Sequence, residues 1–206
     1  MSRVFVPGFG ASASLYHLPD EWTVHRPPTF RLAASVEARL GALQRHLDHY
    51  DGPITLAGHS MGGALAIAAA GTDLARIERL VLVNPAGLPL TKPFASSLRD
   101  FSRQVVDRFY PRGELLAGLR DAVAAPRATY ALALAVRALD LRDQLEAVRR
   151  KRIPTEVIAC IGDTLTPLEH CKQIAKLAGA RYRELDLRGG HMWMLAEPAA
   201  LASVLD

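Results

Sequence analysis

The chain has 206 residues, half of them hydrophobic and 22% charged, an ordinary globular mixture that excludes a disordered, fibrous or low-complexity polypeptide. That length favours one domain, with or without an insertion, over two. The net charge of +4 comes mostly from arginines with acids scattered among them, which argues against nucleic acid as a partner.

Cys160 and Cys171 are too few for a disulfide framework and are expected to be reduced thiols in a strand and the following helix. Only a few apolar residues separate Met1 from Pro7-Gly8, too few for a signal-peptide core, and no run approaches the ~18 apolar residues of a membrane span. The expectation is a soluble cytoplasmic protein, monomer or homodimer, with a small-molecule substrate. No metal-ligand cluster is visible, and no glycine-rich phosphate loop follows the first apolar run, so neither metal nor other cofactor is expected.

In chain order, a strand over Arg3 to Val6 leads into the glycine turn Val6-Pro7-Gly8-Phe9-Gly10, and a second strand covers Trp22 to His25. Ala33 to Tyr50 reads as a sheet-covering helix, with Val36, Leu40, Leu43 and Leu47 on one face and Arg39, Arg45 and Asp48 mostly elsewhere. The strand Ile54 to Ala57 runs into Gly58-His59-Ser60-Met61-Gly62. The helix Met61 to Ala70 follows with no polar face, as a buried helix requires. After the strand Leu80 to Val83, residues 87–150 show helical period and no clear strand. Phe94, Leu98, Phe101, Val105 and Phe109 share a stripe, Pro111 and Pro126 punctuate, and Leu139 to Val148 forms another helix. Leu132 to Val136 alternates like a strand, but its Ala and Leu content favours helix. This region reads as a helical cap inserted in the single domain 1–206.

Beyond it come the strand Glu156 to Ile161, a helix opened by Thr166-Pro167-Leu168-Glu169, and the strand Arg181 to Leu187. The capping-box pattern makes Thr166 the expected helix cap and puts His170 in the first turn. The run Arg149 to Arg152 reads as a solvated helix end whose cations suit the negative pole of the dipole. The whole pattern is α/β, a mainly parallel sheet of about six strands flanked by helices.

Gly58-His59-Ser60-Met61-Gly62 fits G-x-S-x-G, the sharp strand-to-helix turn that lifts a serine above a sheet, and its glycines are sterically required there. With Gly63, the motif resembles the elbow of the α/β-hydrolase superfamily, and the likeness covers nearly the whole chain. It implies that the chain begins at the family's third strand, a reduced fold lacking the first two. The resemblance also implies a Ser, Asp, His order for the triad. Ser60 is then the nucleophile. His191, after Leu187-Arg188-Gly189-Gly190, resembles the family's base, and Asp163-Thr164-Leu165-Thr166-Pro167 matches its acid, although Cys160 stands where a glycine is usual. The other family position for the acid holds Asn84-Pro85, and an amide does not offset imidazolium charge.

Val6-Pro7-Gly8-Phe9-Gly10 resembles the H-G-x-G oxyanion loop with proline for histidine. Phe9 and Met61 would thus donate the two backbone N–H groups. Tyr16, His17 and Trp193, with Met192 and Met194, stand near these loops and are candidates for the substrate pocket or for core. The resemblance is compatible with an ester or thioester hydrolase acting through acyl-Ser60, with a carbon-carbon bond hydrolase or lyase on the same triad, and with a binding module. Binding modules of this fold usually lack a triad member, and here all three residues are present.

Overall fold

Six strands build one sheet in the computed structural model, which describes residues 1–72, 76–106, 113 and 120–206. The strands are β1 (Ser2–Val6), β2 (Trp22–Val24), β3 (Ile54–His59), β4 (Ile77–Val83), β5 (Thr155–Cys160) and β6 (Arg181–Leu185). All pair in parallel, in the order β2-β1-β3-β4-β5-β6. Parallel strands covered on both faces need apolar residues at consecutive positions, and every residue of β3 is buried.

The period of two divides these strands between two cores. Val4, Leu56, Leu80, Leu82, Val157 and Ala159 face one side. There they meet α1 (Val36–Leu47), α2 (Met61–Gly71), and the helices Arg142–Arg150 and Leu168–Ala178. Phe5, Ala57, Val81, Val83, Ile158 and Cys160 face the other side, covered by Leu15, Tyr16, Trp193 and the C-terminal helix Pro198–Leu205. Between β4 and Arg142–Arg150 the chain forms α3 (Phe94–Val106) and α4 (Pro126–Ala138); the latter includes Leu132 to Val136, where alanine and leucine win over the strand-like alternation. Arg142–Arg150 is hereafter α5, Leu168–Ala178 α6, the short turn of helix Trp193–Ala196 α7 and Pro198–Leu205 α8.

Three expectations change. The region 87–150 is not uniformly an insertion. Leu141, Leu145 and Val148 are buried in the same core as α2, and a Cβ on Gly71 would lie 2.6 Å from Gln144 Cβ, so α5 is a covering helix of the sheet. Arg39, set apart from the apolar face of α1 by its charge, is only 3% exposed, with its guanidinium over the Phe30 ring and Asp121 acting on it through charge. Thr166 makes no cap bond; α6 starts at Leu168 after Pro167, and the threonine hydroxyl is used elsewhere. Phe109 and Pro111 lie outside the described residues. Both cysteines are buried and free. No described helix is long and apolar enough to cross a membrane.

Leu145 is fully buried between α5 and the sheet-covering α2. Leu145→Ala is expected to lower unfolding free energy by about 2–5 kcal/mol, read from urea denaturation, the loss that follows a cavity in a packed core.

Candidate active site

β3 ends at His59 and α2 begins at Met61, so a single residue, Ser60, makes the turn between them. It does so at φ 56° and ψ −120°, a region that disfavours any side chain and costs about 1–3 kcal/mol. Neighbouring backbone holds it there. The Ser60 N–H donates to the Val83 carbonyl at 3.1 Å, and the Ser60 carbonyl accepts from Ala64 and Ala86 N–H at 3.2 and 3.0 Å. The turn also brings α2 onto the end of β1, where a Cβ on Gly62 would stand 2.0 Å from the Val6 carbonyl oxygen. Glycine is therefore required by contact as well as by motif.

Past β5, Asp163 turns inward and meets His191, which lies in the loop after β6. His191 Nδ1 is 2.7 Å from Asp163 Oδ2, and the two residues are 2% and 6% exposed. Asp163 Oδ1 accepts the backbone N–H of Leu165 and Thr166 at 2.8 and 3.0 Å, and Oδ2 accepts the Thr166 hydroxyl at 2.7 Å and the Asn84 side-chain amide. Burial alone would raise the carboxyl pKa, but the His191 charge and hydrogen bond and the Thr166 hydrogen bonds outweigh it and hold the group below the ordinary carboxylate range. The site thus contains an ionised acid fixed to one nitrogen of a histidine.

Asn84, weighed from sequence only as a rival to Asp163, is instead its neighbour. Its amide N–H₂ donates to Asp163 and its Oδ1 accepts the Trp193 indole N–H at 2.9 Å. Trp193 is fully buried by this contact and by the core around β4 and β5, so it is a supporting residue beneath the histidine loop and not a pocket wall.

Tyr16 also departs from the pocket reading, because it is 5% exposed and takes part in a buried chain. Gly8 N–H donates to the Tyr16 oxygen at 3.0 Å, Tyr16 O–H lies 2.9 Å from His59 Nδ1, and His59 Nε2 lies 3.0 Å from the His191 carbonyl oxygen. A carbonyl only accepts, so Nε2 carries the proton and Nδ1 accepts from the tyrosine. Burial first, and the nearby His191 second, push the His59 pKa down to about 3, which keeps this ring neutral and the direction of the chain fixed. The oxyanion-loop candidate and the histidine loop are thereby tied through one ring. Gly8 sits against that ring, since a Cβ there would be 3.0 Å from His59 Nδ1 and 3.3 Å from Ser60 Cβ.

Phe9 is half-buried next along the loop, Met61 is buried at the start of α2, and His17 is exposed. The structure thus brings Ser60, Met61, Phe9, Asp163 and His191 to one end of the sheet, and leaves His17 at the surface. Sequence reasoning missed His59, Asn84 and Thr166 as parts of this site. One signal for His59 was present: it is two positions after Ala57 in β3, hence on the Tyr16 face of the sheet. Among the described residues no cluster of three or more His, Cys, Asp or Glu is arranged to hold a metal.

The chain belongs to the alpha/beta hydrolase family, whose model matches residues 4–204. A relative from Mycobacterium phage D29, described as a "putative non-heme haloperoxidase", is 30% identical over 171 residues. That match covers 72% of this chain and spans 60% of the relative's length. An enol-lactonase from Burkholderia xenovorans LB400 has a similar structure, with TM-score 0.71, 21% identity, and coverage of 98% of this chain and 88% of the other. Est816, titled an N-acyl homoserine lactone degrading enzyme, superposes with TM-score 0.77 at 18% identity, covering 98% and 91%. At these identities the two structures show a shared fold.

Two buried histidines besides His59 are held unprotonated, His25 and His170, each with its pKa lowered by burial to about 4. The native protein refuses protons that the unfolded chain binds near pH 6.5. Stability from these groups is therefore complete above about pH 6.5 and is lost as pH falls towards 4, by about 1.4 kcal/mol per pH unit for each histidine. Unfolding free energy followed against pH should fall with the slope of about three protons near pH 5, and His25→Gln should remove about one of them. Tyr16→Phe, which strips the hydroxyl from the buried chain, is expected to lower unfolding free energy by about 1–3 kcal/mol in the same assay.

Proposed function

We propose that this chain is a serine hydrolase that cleaves a carboxylic ester or thioester through an acyl-Ser60 intermediate. The observation that carries the reading is the buried His191–Asp163 contact of 2.7 Å at the same end of the sheet as Ser60. An ionised Asp163 on Nδ1 holds that nitrogen protonated, so Nε2 is the basic one and accepts the Ser60 hydroxyl proton as Oγ attacks the carbonyl carbon. The developing oxyanion is met by the backbone N–H of Met61 and Phe9, each worth about 3 kcal/mol to the barrier.

Collapse of the tetrahedral adduct breaks the bond to the leaving alcohol or thiol, which takes the proton from His191. A water molecule then attacks the acyl carbon, His191 takes its proton, and the acid departs as Ser60 regains its hydrogen. The strained turn at Ser60 supports the assignment because such backbone persists where surrounding structure over-determines it, as the Val83, Ala64 and Ala86 hydrogen bonds do here. By their titles both structural neighbours act on lactones, compounds that contain a cyclic carboxylic ester, which accords with this reading.

Hydrolysis of p-nitrophenyl acetate and butyrate, together with a fluorophosphonate label located by peptide mass, tests the proposal. Intact protein is expected to show an acyl burst and a label on Ser60, with both lost in Ser60→Ala. A label without ester turnover would turn the reading towards carbon-carbon bond cleavage, and folded protein that takes no label would sink the nucleophile assignment.

A further inference from the structure

One buried ring adjoins three of the groups assigned to the reaction. His59 is 1% exposed, and it directly precedes Ser60 in the turn. A Cβ on Gly8 would lie 3.0 Å from its Nδ1, so the loop that carries Phe9 packs on the ring edge. The ring centre also lies 4.8 Å from that of His191, with 43° between the planes, and Nε2 donates to the His191 carbonyl at 3.0 Å. So complete a burial ordinarily selects an apolar side chain, since a polar group left without a partner there costs about 1–3 kcal/mol. Here both ring nitrogens are engaged.

The candidate oxyanion loop needs an anchor of this kind. Pro7 contributes no N–H, and Gly8 has backbone freedom enough to turn the following Phe9 N–H away from the site. Tyr16 supplies the restraint, since its oxygen accepts the Gly8 N–H at 3.0 Å and its hydroxyl proton goes to His59 Nδ1 at 2.9 Å. That arrangement holds only while His59 carries its one proton on Nε2. A second proton would turn Nδ1 into a donor facing the tyrosine. It would also place a positive charge beside His191, which itself becomes a cation when it takes the serine proton.

We propose that His59 is a positioning residue of this site: as one neutral tautomer it aligns the Phe9 loop, through Tyr16, with the loop of the general base, through the His191 carbonyl. His59 takes no part in bond making. It acts by holding the oxyanion donor and the base in fixed relation to each other and to Ser60, and a misplacement of about 1 Å in such groups costs on the order of a hundredfold in rate. The role rests on the serine hydrolase reading given above.

Hydrolysis of p-nitrophenyl acetate by Tyr16→Phe, His59→Gln and His59→Asn tests it. Glutamine reaches the place of Nε2 with its amide N–H₂ and gives up the acceptor beside Tyr16, whereas asparagine keeps an acceptor near Nδ1 and does not reach the His191 carbonyl. Tyr16→Phe and His59→Gln are each expected to lower kcat about ten- to a hundredfold with KM within about twofold, the signature of an alignment needed only in the transition state. The double variant should fall no further than either, because both changes break the same arm, while the loss in His59→Asn should compound with that in Tyr16→Phe. An unchanged kcat in Tyr16→Phe, or losses in Tyr16→Phe and His59→Gln that simply multiply, overturns the role. Should the His59 variants fail to fold, Tyr16→Phe, which removes a single oxygen, decides by its kcat alone. Intact protein that takes no fluorophosphonate label would overturn the nucleophile reading and this role with it, an outcome distinct from label and turnover that persist undiminished in Tyr16→Phe.

Discussion

Asp163 holds its charge where water does not reach, and much of the surrounding structure serves that one carboxylate. Without help, burial would protonate it, and a neutral acid would leave His191 without a fixed orientation or a counter-charge. The help comes from three parts of the chain. Leu165 and Thr166 donate backbone N–H groups from the turn after β5, the Thr166 hydroxyl adds a third hydrogen bond, Asn84 reaches over from the end of β4, and His191 approaches from beyond β6. Adjacent parallel strands β4, β5 and β6 end at one level, which is why residues so far apart in the chain converge on two oxygens.

A second layer then fixes the groups that fix the acid. Trp193 holds Asn84, and His59 takes the His191 carbonyl while its other nitrogen receives Tyr16. In a low dielectric such a chain is strong when complete and costly when broken, so each side chain in it is held to one orientation. His59 is the member on which both loops meet. Its neutrality matters, because a protonated ring would have no acceptor to offer the tyrosine hydroxyl.

The sheet was legible in the sequence because parallel strands covered on both faces must be apolar at consecutive positions, and Ile54 to Ala57, Leu80 to Val83 and Glu156 to Ile161 were visible for that reason. The elbow was legible because its constraint is local, with glycines on either side of a residue in a strained turn. What stayed hidden was set by partners distant in sequence. Thr166-Pro167-Leu168-Glu169 has the pattern of a helix cap, and nothing in those residues reveals that the hydroxyl turns instead to Asp163. Arg39 was set apart from the apolar face by its charge, although it stands three residues after Val36 and four before Leu43 and so borders that stripe. That α5 covers the sheet was hidden for a similar reason, since its helical pattern is the same whether it packs on α2 or on the helices before it.

β2, only three residues long, closes one side of the sheet, and β6 closes the other with alternate arginines and a glutamate bridged to Lys172. Unpaired strand edges invite a neighbouring molecule to add its own strand, and shortness and charge both spoil that template. The sheet is consequently a poor seed for its own extension by strands of other copies.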